Sequence, residues 1–305
     1  MERYRKVKSP SDGLMLDVAE TLPENGKVVG IVQIAHGMQE HKERYLDFMN
    51  YLSAHGYAVV CGDHRGHGKS IENPDDLGFF YDETGDAIAN DLNAIRGNLE
   101  IEYPHVPIFL IGHSMGTLVA RKYIKSFDDR LDGLILSGAV YENPGAKPGK
   151  MLIDVISALK GKRYISKSIA KMVEGSFDKG IPGELKNRWL SYNEENVKRF
   201  NEDEICGKPF TLNGYRNLMQ LIIDCYSPKD WNMKHPDLPI FFAAGAEDPV
   251  IGNEKEFEKM QQFLKDRGYT DVHGKLYPHM RHEILNETNR EVVYADFCAF
   301  LDAHR

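Results

Sequence analysis

At 305 residues, with 42% hydrophobic and 28% charged side chains, the chain has an ordinary globular composition, not that of a disordered, collagenous or coiled-coil protein. Its 46 acidic and 38 basic residues leave a net charge of −8, which argues against a general nucleic-acid-binding surface. The charged start MERYRKVKSPSDG has no apolar segment behind it, so no secretory leader is expected. No apolar run reaches the ~20 residues of a spanning helix. Four scattered cysteines, Cys61, Cys206, Cys225 and Cys298, read as reduced packing residues of a cytoplasmic protein.

In chain order, two β-branched apolar runs, 14–19 and 28–34, flank the turn cluster Pro23, Glu24, Asn25 and Gly26 and predict a hairpin. Tyr45, Phe48, Met49 and Leu52 recur at helical spacing over 44–53, Gly56 closes that helix, and 57–61 reads as a buried strand. The alternation continues with a helix at 85–101, a strand at 106–112, a helix at 115–126 and a strand at 131–136. Strands and helices of these lengths predict an α/β fold, a mostly parallel sheet covered by helices on both faces. From about 139 to 235 helical patterns recur without a convincing buried strand. The rhythm then resumes with a strand at 238–244, a helix at 253–267, a strand at 272–277 and a helix at 284–303. Residues 1–138 and 236–305 are therefore expected to form one core. Residues 139–235 would be a helical cap over the carboxyl ends of the strands, where parallel sheets bind ligands.

Gly112-His113-Ser114-Met115-Gly116 follows an apolar strand and precedes a helix without proline, the setting of a nucleophile elbow. A sharp turn there projects the Ser114 hydroxyl above the sheet, and the glycines leave room for neighbouring segments. A helix-capping serine in a Gly-rich turn is the plainer alternative. A nucleophilic serine needs a base to take its proton and an acid to orient that base. Gly245-Ala246-Glu247-Asp248-Pro249-Val250 follows a strand and offers two carboxylates. Asp248 is preferred because Pro249 holds its backbone extended, with Glu247 as the alternative.

Tyr277-Pro278-His279-Met280-Arg281-His282 offers His282 as the base and His279 as its rival. Their i, i+3 spacing also admits a metal, but nothing completes a ligand set, so no metal is expected there or at His64 and His67. An unpaired surface side chain is the default reading for such histidines, and for His55, His105, His235 and His304. Acyl transfer further needs two backbone N–H donors for the oxyanion. Met115, just after the serine, offers one, and Met38, in the loop from Ala35 to His41, offers the other. The loop from Cys61 to Ser70 has three glycines and either braces the site or is a solvated turn.

Five segments in this order resemble the α/β-hydrolase superfamily in its monoglyceride-lipase, lysophospholipase and serine-aminopeptidase-like branch. They are His36-Gly37-Met38-Gln39-Glu40-His41 with Arg44-Tyr45, the run from Asp63 to Ser70, the motif around Ser114, the run from Gly245 to Val250, and the run from Arg281 to Glu287. The resemblance covers nearly the whole chain. It implies Ser114 as nucleophile, Asp248 as acid, His282 as base, and the Met38 and Met115 amides as oxyanion hole. It also implies His36, Gly37 and His113 as supporting residues, and no cofactor. His279 departs from the pattern, where related sequences tend to carry a small residue.

Residues 147–171 hold seven basic side chains, Lys147, Lys150, Lys160, Lys162, Arg163, Lys167 and Lys171, against Asp154 alone. Met151, Leu152, Val155, Ile156 and Leu159 share helical spacing in the same stretch, which predicts a basic amphipathic helix. Such a helix either meets an anionic lipid surface or packs its apolar face on the core, the second being the simpler reading. Leu218, Met219, Leu221, Ile222 and Ile223 either line an acyl-chain pocket or pack within the cap.

The expected protein is a cytoplasmic serine hydrolase of monoacyl lipid esters or other medium-sized carboxylic esters. An aminopeptidase of the same fold would need cap carboxylates such as Glu194, Glu195 or Glu202-Asp203-Glu204 to hold an amine. A catalytically silent scaffold that binds a ligand or partner is the alternative outside enzyme function.

Overall fold

A computed structural model describes residues 1–305. Eight strands form one sheet: β1 (Glu2–Lys8), β2 (Met15–Thr21), β3 (Gly30–Ala35), β4 (Tyr57–Gly62), β5 (Ile108–His113), β6 (Gly133–Ser137), β7 (Ile240–Gly245) and β8 (Val272–Tyr277). Their spatial order is β1-β2-β4-β3-β5-β6-β7-β8, with β1, β2 and β4 paired antiparallel and every later pairing parallel. The apolar runs of β3, β4 and β6 are buried at every residue, as expected of parallel strands covered on both faces.

Two helices, α1 (Leu46–Ala54) and α9 (Arg290–Ala303), cover one face through Phe48, Leu52, Val293 and Phe297. On the other face lie α2 (Asp86–Glu102), α3 (Met115–Phe127) and α8 (Glu254–Arg267), through residues such as Leu92, Leu118 and Phe257. The connection from β6 to β7 contains α4 (Ala146–Lys160), α5 (Lys167–Glu174), α6 (Glu194–Glu202) and α7 (Leu212–Cys225) and no strand. Its Ile153, Ile169, Leu218 and Met219 join the apolar cluster that also holds Ala35 and Met115. No helix is long and apolar enough to cross a membrane, and all four cysteines are free and buried.

The predicted hairpin of 14–19 with 28–34 does not form. β2 pairs with β1 and β4, while β3 lies between β4 and β5. The missing partner, β1, alternates exposed and half-buried residues along an edge, with Arg3 and Arg5 on the half-buried side, a pattern that apolar periodicity overlooks. Arg3 and Arg5 of β1 both pair with Glu20, a carboxylate with only 1% of its side chain exposed. The helix predicted at 284–303 is also shorter. A single 3₁₀ turn at Ile284–Asn286 precedes α9, and buried Glu287 interrupts the pattern by accepting the amides of Arg281 and Tyr192 and the Ser191 hydroxyl.

Candidate active site

Ser114 sits between the end of β5 and the start of α3 with φ 52° and ψ −118°, outside the regions that L-residues prefer. Such a conformation costs about 1–3 kcal/mol and persists only where its surroundings enforce it. The flanking glycines are part of that enforcement. A Cβ at Gly116 would lie 1.9 Å from the Ala35 carbonyl oxygen, and one at Gly112 would lie 2.6 Å from the Gly116 oxygen. Strand and helix therefore approach more closely here than any side chain allows.

Asp248 follows β7 with an extended backbone, φ −76° and ψ 114°. Its Oδ1 accepts the Val250 amide at 2.8 Å, which fixes the carboxylate, and its Oδ2 accepts His282 Nδ1–H at 2.9 Å. Both side chains are buried. Glu247 turns away, bonded by the Tyr192 hydroxyl, and its carboxylate lies 3.7 Å from His279, a residue 90% exposed.

The His282 ring lies between His113 and Trp189, with centroids 4.7 and 4.9 Å away. Its Nε2 is buried and meets no hydrogen-bond partner. Ser114, His113 and His282 line one small cavity of about 50 Å³. Burial disfavours the charged His282 ring, but the charge and hydrogen bond of Asp248 outweigh it and hold the imidazolium above its ordinary pKa. His113 lacks such a partner, and burial followed by the His282 charge pushes it down to about 3.

The loop after β3 is tied down by charge. Gly37 N–H and the Tyr45 hydroxyl both donate to Glu40 Oε1, at 2.5 and 2.7 Å. Arg44 bridges Glu40 at 2.8 Å and both oxygens of Glu283 at 2.6 and 2.7 Å, so this loop is clamped to the residue after His282. Burial alone would raise Glu283, but Arg44 and Asn196 lower it to about 2. The amides of Met38 and Met115 find no acceptor within the protein. His36 is buried beneath them, Nδ1–H donating to Gly37 O and Nε2 accepting His64 N–H, both at 2.8 Å.

The 61–70 loop lines neither cavity that reaches Ser114; it braces the 36–41 loop from behind. Asp63 accepts Lys42 N and Nζ at 2.9 and 2.8 Å, and His64 holds His36. His64 and His67 are not surface residues, contrary to the sequence expectation. Both are buried, with His67 against Phe80 and Phe210 at centroid distances of 5.3 and 5.1 Å.

A second cavity of about 310 Å³ also reaches Ser114, sharing Met38 and Trp189 with the first, and 12 of its 17 lining residues are hydrophobic. Of the two readings the sequence left open for 218–223, Leu218, Met219 and Ile222 line this cavity while also packing in the core, whereas Leu221 packs in the core alone and Ile223 does not reach the cavity. Met172, Val173, Phe177 and Trp189 complete the wall, and Glu174 lines the smaller cavity. Sequence reasoning missed these contributors, along with the Arg44 clamp. Glu40, Arg44 and Glu283 carried a signal, since each lies inside one of the family-like segments.

Comparison with known proteins agrees with this architecture. The family model described as serine aminopeptidase, S33, matches residues 26–289. The chain is 27% identical over 286 residues to a monoacylglycerol lipase of Mycolicibacterium smegmatis, covering 90% of this chain and 89% of that one. It is 28% identical over 280 residues to phospholipase YtpA of Bacillus subtilis, covering 90% and 96%. Among solved structures, a highly thermostable carboxyl esterase from Bacillus coagulans in complex with glycerol superposes with TM-score 0.90 at 26% identity, covering 99% of this chain and 98% of that one. With its elbow, its mostly parallel sheet and this match over most of its length, the chain belongs to the serine aminopeptidase S33 family of α/β-hydrolases, on the monoglyceride-lipase-like branch.

Proposed function

We propose that the protein is a serine carboxylester hydrolase that cleaves monoacylglycerol- or lysophospholipid-type esters through an acyl-enzyme on Ser114. The observation that carries this reading is the single constellation at the elbow. A histidine oriented by a buried carboxylate leaves its second nitrogen free, and that nitrogen shares a cavity with a strained serine. In this mechanism His282 Nε2 takes the Ser114 proton as Oγ attacks the ester carbonyl, then delivers it to the leaving alcohol. The unpaired Met38 and Met115 amides receive the oxyanion. Water activated by His282 then releases the acid. Asp248 keeps the ring in the Nδ1–H tautomer and stabilises the imidazolium. His36, Gly37 and His113 support the site, and no step requires a cofactor or metal.

The apolar cavity beside Ser114 fits an acyl chain, and the polar one fits the alcohol part of the ester. Residues 139–235 act as a cap over the core formed by 1–138 and 236–305. Part of this cap faces outward in an unexpected way. α4 buries Ala146 and Ile153, but Met151, Leu152, Val155 and Leu159 are exposed, so its apolar stripe does not simply pack on the core. This favours transient contact with anionic lipid, made by a cytoplasmic enzyme that visits membrane surfaces. The aminopeptidase reading is weaker, because none of Glu194, Glu195, Glu202, Asp203 and Glu204 lines either cavity.

The test is acyl release from p-nitrophenyl esters of C2 to C16, monoacylglycerol, lysophosphatidylcholine and aminoacyl-naphthylamides, with Ser114→Ala as control. Ester cleavage with a chain-length optimum, reduced at least about 10⁴-fold in the variant, is expected. Cleavage of amides alone would replace the esterase by a peptidase, and silence from folded protein would revive the non-catalytic scaffold.

A further inference from the structure

A second group of chemically capable side chains lies about the outer end of the 36–41 loop. The His41 ring has a carboxylate on each nitrogen, with Nδ1 2.7 Å from Glu43 Oε2 and Nε2 2.8 Å from Asp203 Oδ2. A neutral imidazole has one N–H and can satisfy only one of these acceptors. The other nitrogen needs a cation beside it, either a second proton or a metal ion.

Cys206 adds a third donor beside it. Its Sγ, a His41 ring nitrogen and an Asp203 oxygen all lie within 4.8 Å of one another, and Cys206 is 5% exposed. Together they supply one nitrogen, one sulfur and one oxygen, a set suited to Zn²⁺ and unlike the oxygen-only shells of Mg²⁺ and Ca²⁺. Tetrahedral Zn²⁺ with bonds of ~2.0 Å to nitrogen and oxygen would separate those two atoms by about 3.3 Å, roughly 0.5 Å more than their present spacing. Glu43 stands where a carboxylate orients a metal-bound histidine, accepting Nδ1–H so that Nε2 presents its lone pair. An adjoining cavity of about 260 Å³, lined by His41, Asp203 and Asn286, leaves space for a fourth, water ligand.

We propose that His41, Asp203 and Cys206 form a Zn²⁺ site that fastens the helical segment 139–235 to the 36–41 loop. Binding forms Zn–N, Zn–O and Zn–S bonds, and it releases the thiol proton and, from the doubly protonated ring, the Nε2 proton. No redox partner is required. The two segments are already in register, since Gly207 N–H donates to Gln39 O at 2.9 Å. The ion therefore acts on the segment that carries Met38 without touching Ser114, and the site stands whether or not the esterase reading does.

The test is titration of the full chain with Co²⁺ as a spectroscopic substitute for Zn²⁺. One equivalent should give a thiolate-to-cobalt charge-transfer band that Zn²⁺ abolishes, and Cys206→Ser should lack it. Asp203→Asn, a near-isosteric change that keeps an oxygen for the Ile205 amide, should weaken uptake at least tenfold. Zn²⁺ at 100 times its dissociation constant should raise the wild-type Tm by about 4 °C and leave Cys206→Ser unmoved. No Co²⁺ uptake by wild type, or the same spectrum and Tm shift in Cys206→Ser, would overturn the proposal.

Discussion

Acidification should destabilise this protein steeply above the range where carboxylates titrate. Burial holds His64 down to about 3, His67 to about 4 and His113 to about 3, with His36 moved in the same direction. A histidine whose folded pKa is depressed contributes its full stability above the unfolded value of ~6.5 and loses it as pH falls. At pH 5 the unfolded chain gains about 2 kcal/mol per such ring, because the folded state binds almost no proton there. The three rings together cost about 6 kcal/mol, comparable to the whole stability of a typical domain, and His36 acts in the same direction.

His41 and His282, raised instead, lose their contribution only as pH climbs through their folded values, so they do not alter the window from 6.5 to 5. Glu43 and Glu283, depressed by their cationic neighbours, act only below the ordinary carboxylate value of about 4.5, whereas Glu40, Asp63, Asp91 and Glu174, raised chiefly by burial, take up protons in the folded state and oppose part of the loss. Urea unfolding followed by circular dichroism from pH 7 to 5 measures the slope. His67→Phe, placed against Phe80 and Phe210, should reduce it by about 1.4 kcal/mol per pH unit below 6. A wild-type stability that changes by less than about 1 kcal/mol between pH 7 and 5, or an unaltered slope in the variant, would refute the reasoning.

The same sign rule applied to His282, the proposed base, gives a second expectation. Since Asp248 holds His282 protonated above its ordinary range, the acid limb of kcat/KM for ester cleavage should have its midpoint above 6.5, and Asp248→Asn should lower both midpoint and rate. A pH–rate profile flat from 5 to 8 would remove His282 as the base. The exposed stripe on α4 gives another: Met151→Asp with Leu159→Asp should reduce co-sedimentation with anionic vesicles at least tenfold while leaving hydrolysis of a soluble ester unchanged. Equal sedimentation of wild type and variant, without salt dependence, would exclude that surface.

The sequence is most legible where one local pattern does the positioning. Ser114, Asp248 and His282 each follow a strand's carboxyl end, so finding the strand and its turn nearly finds the residue. Their partners are less readable. Glu40, Arg44 and Glu283 stand inside recognisable motifs, yet the clamp exists because residues 239 positions apart meet. Trp189 and Phe177 come from an irregular stretch whose placement depends on distant contacts, among them Glu287 receiving Ser191 and Tyr192. β1 was hidden by its charge, and the false hairpin by assuming that neighbouring strands in sequence pair. His64 and His67 read as surface residues by type, and only the fold packs His64 against the His36 and His67 rings and His67 against Phe80 and Phe210.

The long β6–β7 connection has a consequence for how freely this architecture can vary. A parallel crossover must run the height of the sheet, so about a dozen residues are obligatory in any version of it. Here it extends from Gly138 to Pro239, roughly three doublings beyond that minimum. Closing a longer loop costs about 0.6 kcal/mol per doubling, so the added length carries an entropic penalty near 2 kcal/mol. Burial of Ile153, Leu218 and Met219 alone offsets a penalty of that size. Helices at this position can thus be gained, lost or exchanged while β6 and β7 keep their register, and selectivity can drift without disturbing the reacting groups.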